Sequence, residues 1–175
     1  QLVVCLLFQY AGMSFVDFAH LKERNIKNGI LDYNRQKTGT PMRLEILDTA
    51  ELMRKELMGD KRPASGYLFP FLSGTKTGYE AYLEYNAALS RFNRNLKALK
   101  KAAGIASDVT SYTIRHSFAM ALKEQNVPIE MISELLGHKS IKTTQIYLRS
   151  FSLEKMTEVN STCFGCVYNY VSKVG

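Results

Sequence analysis

Residues 29–47 read GILDYNRQKTGTPMRLEIL, with apolar and polar residues alternating on both sides of Lys37-Thr38-Gly39-Thr40. A period of two is the signature of strands. The stretch therefore predicts an antiparallel hairpin, with Gly39 in its turn and Pro41 opening the return strand. Most of the remaining apolar residues recur at helical spacing. QLVVCLLFQYAGMSFVDFAHL, residues 1–21, predicts two short helices broken around Gly12. Residues 54–66 end a helix and enter a loop, and YLFPFL, residues 67–72, reads as a short buried extended segment. Residues 80–103 form a long amphipathic helix closed by Gly104. SYTIRHSFAMALKEQN is helical, and Pro128 suits the first turn of PIEMISELLG, which Gly137 stops. Ser140 then N-caps IKTTQIYLRSF. The expected fold class is α+β, mostly α-helical, with a small antiparallel sheet.

A chain of 175 residues is long enough for one domain with a sizeable core. Its net charge of +7 makes polyanions the first partners to consider. No stretch approaches the ~18 apolar residues of a membrane span. LVVCLLF, residues 2–8, is too short, and no basic segment or cleavage site makes it a signal peptide. This apolar run reaches residue 1, so the chain is expected to continue a larger protein. The cysteines are three, Cys5, Cys163 and Cys166, which favours a reducing compartment such as the cytoplasm. Cys163 and Cys166 form a Cys-x-x-Cys with no second pair to complete a zinc site, so a small packed tail is expected there and metal sites are set at none.

With the ordinary core residues set aside, Lys37, Arg115, His138 and Tyr147 stand out. No serine sits in a nucleophile elbow, no carboxylate cluster is suited to magnesium, and no glycine loop cradles a nucleotide. Cations, an imidazole and a phenol do suit attack on a phosphodiester. Such a transition state gathers negative charge on non-bridging oxygens, which a guanidinium neutralises with paired hydrogen bonds. A phenol with a pKa near ~10 needs a neighbouring base or a cationic field to become a nucleophile. A lysine on a hairpin can give the departing oxygen its proton.

TIRHSFAMALKEQNVPIEMISELLGHKSIKTTQIYL, residues 113–148, resembles the second signature box of the tyrosine recombinases of the phage-integrase type. The match runs through Arg115-His116-Ser117-Phe118-Ala119, then Leu136-Gly137-His138, then Thr143-Thr144-Gln145-Ile146-Tyr147. QKTGT resembles the family's hairpin lysine, and GMSFVDFAHL resembles its first box in the Bacteroidetes-like branch. The resemblance implies that residues 1–151 are a recombinase catalytic domain whose core-binding domain is absent, and that residues 152–175 are a tail docking in cis or in trans. It implies Tyr147 as the nucleophile that forms a 3′-phosphotyrosine, Arg115 as the phosphate ligand, His138 as its support or a proton carrier, and Lys37 as the general acid. Neither cofactor, metal nor ATP is implied, because the ester conserves the bond energy. The implied partner is double-stranded DNA, bound by four protomers on two sites, with a monomer compatible with the DNA-free state. The implied location is the cytoplasm, at the nucleoid of a bacterium. Which mobile element or inversion system the chain serves stays open.

Two departures stand against the family pattern. Tyr112 occupies the usual histidine position three residues before Arg115, where its phenol can donate to phosphate or simply pack. The first-box arginine is missing, with Ala11 and Ser14 at the two positions that can carry it. Either Arg24, Arg35 or Arg43 substitutes, or the chain is naturally impaired, or Ala11 is engineered. The alternative function is therefore a catalytically impaired DNA-binding module of the same fold, and a type IB topoisomerase fits the signature less well. Arg91, Arg94 and Lys97 on the long helix, with Lys139 and Lys142 beside the last turn, are candidate DNA contacts whose plain alternative is a solvated face. His116 is expected to be structural and His20 solvated.

Overall fold

The computed structural model describes residues 1–59 and 66–148, with Tyr147 described for its backbone alone. Helices α1 (Leu2–Gln9) and α2 (Phe15–Ala19) lead into a small sheet of β1 (Ile26–Lys27), β2 (Ile30–Asn34) and β3 (Pro41–Glu45). Five helices follow: α3 (Asp48–Met58), α4 (Gly78–Ala102), α5 (Ser111–Glu124), α6 (Ile129–Leu135) and α7 (Ile141–Tyr147). The expected mostly helical architecture with a small antiparallel sheet is observed.

The hairpin forms where the period of two placed it, with Leu31 opposite Leu44, Tyr33 opposite Met42 and Asn34 opposite Pro41. Leu31 and Tyr33 are buried while Asp32 and Asn34 face outward. Arg35 closes the turn with both of its backbone groups, donating to Thr40 O at 2.9 Å and accepting from Gly39 N at 2.8 Å. Pro41, lacking an N–H, is accommodated because β3 is an edge of the β1-β2-β3 order. β1 was not foreseen, since two residues are too few to show a period.

Three expectations are corrected in detail. YLFPFL is buried at Leu68, Phe69 and Leu72, as expected, but it bends and turns instead of running extended. Tyr67 makes a single antiparallel bridge to Lys22, and the chain then turns at Pro70, which has no donor to extend a ladder. Pro128 caps α6 from outside, with φ −55° and ψ 141°, instead of lying in its first turn. His20 is half-buried at the end of α2, where its Nδ1 lies 2.8 Å from Val16 O.

Helix α4 buries Ala88, Phe92 and Leu96, four residues apart, and leaves Arg91, Arg94 and Lys97 exposed. Phe92 stacks on Phe15 with centroids 4.6 Å apart, and Phe18 stacks on Phe69 at 4.2 Å, so α2 is held between α4 and the segment after α3. A smaller cluster of Ala119, Ile132 and Leu136 joins α5 to α6. Among the described residues no helix is long and apolar enough to cross a membrane.

Two turns are pressed against neighbours. Ala11 and Gly12 both have positive φ, 54° and 62°, and bend the chain between α1 and α2. A Cβ on Gly12 would lie 2.9 Å from the Phe118 ring on α5. Gly137, at φ +60°, is tighter still: a Cβ there would strike Met42 Sδ and approach Arg35 Cδ to 2.7 Å. Gly137→Ala should therefore lose about 3 kcal/mol, combining the left-handed backbone cost with overpacking. Urea unfolding checks this, and a loss under about 1 kcal/mol would mean that Met42 and Arg35 yield freely.

Candidate active site

Arg115 is placed on α5 by the capping box of Thr110 and Thr113, which fixes where that helix starts. Its side chain is only 5% exposed and reaches two turns at once. Nη1 donates to Gly12 O at 2.9 Å, and Nη2 donates to Leu136 O. Nη2 also lies 3.5 Å from His138 Nε2. The left-handed bend at Ala11–Gly12 thus presents a carbonyl to the same guanidinium that the Leu136–Gly137 turn engages.

His138 follows that turn, with its backbone N–H donating to Ser133 O at 3.0 Å. Its Nδ1 lies 2.9 Å from Oγ1 of Thr144, a fully buried residue of α7. A guanidinium can only donate, so Nε2 holds a lone pair towards Arg115 and Nδ1–H donates to Thr144. Burial first, then the charges of Arg115 and Arg35, lower the His138 pKa from 6.5 to about 4. The imidazole is therefore neutral near pH 7. In the unfolded chain it takes its proton at the ordinary value, whereas the folded chain refuses it until about pH 4. The stability that neutral His138 contributes is complete above pH 6.5 and is lost as the pH falls towards 4. Thermal melts should show this decline, and His138→Gln should flatten it. An imidazole titration by NMR with its midpoint above 6 would refute the assignment.

Asp17, in α2, anchors the other side of the site at 2% exposure. Ser14 Oγ donates to its Oδ2 at 2.5 Å, Arg35 Nε to the same oxygen at 3.4 Å, and the Gln36 N–H to Oδ1 at 2.7 Å. Arg35 is 8% exposed, and its Nη1 donates to Leu136 O at 3.1 Å and Gly137 O at 3.0 Å. Among the described residues the buried charged side chains are Arg35, Arg115 and Asp17, two cations to one anion. The interior of the site therefore carries a net positive charge.

Of the residues singled out from the sequence, Arg115 and His138 are brought together. Lys37 is exposed on the hairpin turn, next to the pinned Gln36. Tyr112 is 62% exposed, one helical turn before Arg115. Ser14 is consumed as the N-cap of α2, and Ala11 is 6% exposed beside the Gly12 carbonyl. Of the possible substitute cations, Arg35 is buried at the site, whereas Arg24 and Arg43 are exposed elsewhere. Lys139 and Lys142 are exposed around the start of α7, where Ser140 Oγ accepts from Lys142 N at 3.3 Å. Tyr147 is the last residue of α7, three positions after Thr144. Its hydroxyl, like the tail and Cys163 and Cys166, lies outside the described residues. Asp17 was missed from the sequence; its only signal is a lone carboxylate in the apolar stretch SFVDFA. Among the described residues no group of three or more His, Cys, Asp or Glu is arranged to hold a metal ion.

The sequence profile of the phage integrase family matches residues 1–154. Tyrosine recombinase XerD of Lacticaseibacillus casei is 52% identical over 54 residues, 31% of this chain and 18% of that protein. Tyrosine recombinase XerC of Rickettsia typhi is 41% identical over 75 residues, 43% of this chain and 24% of that protein. The match thus spans about a quarter or less of the length of these curated relatives. Among solved structures, XerA recombinase superposes with a TM-score of 0.65 at 22% identity, covering 89% of this chain and 54% of that one. XerH recombinase, solved on its difH substrate before cleavage, gives 0.64 at 20% identity, covering 89% and 44%.

Proposed function

Because the chain belongs to the phage integrase family, we propose that residues 1–151 are the catalytic domain of an enzyme that cuts and rejoins double-stranded DNA at specific sites through Tyr147. The observation that carries this reading is the convergence of Arg115 and His138 on the Leu136–Gly137 turn, from which α7 leads directly to Tyr147. The Tyr147 hydroxyl gives up its proton to solvent in the cationic field of the site, its oxygen attacks the scissile phosphorus, and the bond from phosphorus to the 5′ oxygen breaks. The 5′ oxygen leaves with a proton from Lys37, and the tyrosine remains esterified to the 3′ phosphate. Attack by another 5′ hydroxyl reverses the steps and rejoins the strand.

Arg115 serves the phosphate in this scheme. A neutral His138, with Nε2 facing Arg115, orients that guanidinium and is a poor proton donor near pH 7. Exposed Tyr112 supplies a hydroxyl at the rim, and Arg91, Arg94, Lys97, Lys139 and Lys142 are positioned on the surface to track the backbone of the duplex. In this scheme the protein acts in the cytoplasm on bacterial DNA, at the sites of a mobile element or of an inversion system, as four copies on two sites.

The test is incubation with a pool of nicked duplexes of randomised sequence, followed by a denaturing gel. A protein–DNA adduct that survives denaturation supports the reading. Binding without adduct would make the chain a DNA-binding module that has lost cleavage, in keeping with the uncharged Ala11.

A further inference from the structure

We propose that Arg35 is a positioning residue that fixes the Lys37 turn against the turn carrying His138, and so sets where the departing oxygen meets its proton donor. The inference rests on the reaction proposed above. Arg35 belongs to two structures at once. Its backbone N–H and C=O close the hairpin turn on Thr40 and Gly39. Its side chain points the other way, into the interior, and bonds the carbonyls of Leu136 and Gly137 about a hundred residues further along the chain. The next residue, Gln36, has its N–H held by Asp17, and Asp17 in turn holds Arg35 Nε. The residue after that is Lys37.

The fit is made in detail. Leu136 O accepts from both Arg35 and Arg115, so the phosphate ligand and the hairpin share one anchoring oxygen. The space that a Cβ of residue 137 would fill is taken by Arg35 Cδ and by Met42 of β3. By contrast, among the described residues no hydrogen bond or ion pair holds the exposed Lys37 ammonium itself, so its location follows from the turn beneath it. A proton donor must come within ~2.6–3.2 Å of the atom that it serves. Displacement by about 1 Å can cost ~10²-fold in rate.

A positioning role differs from a merely structural one in which step it slows. The 5′ oxygen needs a proton to leave; a sulfur at the same bridging position leaves as a thiolate without one. Arg35→Gln and Arg35→Lys should form adduct ~10–100-fold more slowly on ordinary nicked DNA. On DNA with 5′-bridging sulfur, both should return to within about threefold of the unsubstituted chain, as should Lys37→Ala. Equal slowing on both substrates would overturn the proposal, because Arg35 would then act on the phosphate or on folding as a whole.

If the unsubstituted chain forms no adduct on either substrate, the functional reading fails, and amide hydrogen exchange judges the brace by itself. Arg35→Gln should speed exchange at Gly39 and at His138 together while leaving Phe92 of α4 unchanged. Unchanged exchange at His138, or faster exchange everywhere, would each overturn the proposal.

Discussion

Tyr147→Phe should bind DNA as the unsubstituted chain does and yield no covalent adduct. The substitution removes one oxygen at the end of α7 and leaves the N-terminal anchoring of that helix, the Ser140 cap and the bond between Thr144 and His138, untouched. Losing the nucleophile of a covalent mechanism has no partial form, and the fall in rate is expected to be on the order of 10⁶-fold. The same gel reads it directly. Adduct remaining at more than about one part in 10³ would transfer the role to another hydroxyl, with exposed Tyr112 the first to test.

Substitution of Arg115 should have the next largest effect, and in two separable quantities. Its guanidinium does structural work that an exposed phosphate ligand would not: it satisfies Gly12 O and shares Leu136 O. Arg115→Ala should therefore lose about 3 kcal/mol of stability, mostly from the Gly12 carbonyl, since Leu136 O keeps its bond from Arg35. That is a large part of the 5–15 kcal/mol typical of a domain, at roughly those magnitudes. Arg115→Lys keeps the charge but cannot span both carbonyls, so a smaller stability loss should accompany a rate of adduct formation lower by ~10²–10³. Urea unfolding and the adduct rate, measured on both variants, separate the two roles. A stability loss with full rate in Arg115→Lys would reduce Arg115 to a brace between turns.

How much of this was legible in the sequence follows from the distance over which each pattern acts. The hairpin was readable because alternation, Gly39 and Pro41 all lie within one short stretch and agree. The helices were readable from apolar spacing, as in Ala88, Phe92 and Leu96. β1 and the bend at Pro70 were not, because a two-residue strand and a single bridge leave no period. Within the site, Arg115 and His138 stood out because, with Tyr147, they fall on the signature that the chain shares with the tyrosine recombinases. The Asp17–Arg35 pair did not, since it closes over eighteen residues and its further bonds over about a hundred. Local sequence carries no mark of such a pairing. Arg35 could be weighed only as one of three cations able to replace a missing one; its burial, and not its charge, distinguishes it from Arg24 and Arg43.

The Leu136 carbonyl has a consequence for how this chain tolerates change. One acceptor mediates between two guanidinium groups that come from well-separated parts of the sequence, so neither experiences a substitution of the other as a distant event. Removing one leaves the oxygen's whole acceptor capacity to the survivor, which can tighten its hold. Positions 35 and 115 are in that sense coupled: the effect of a substitution at one depends on which residue already stands at the other.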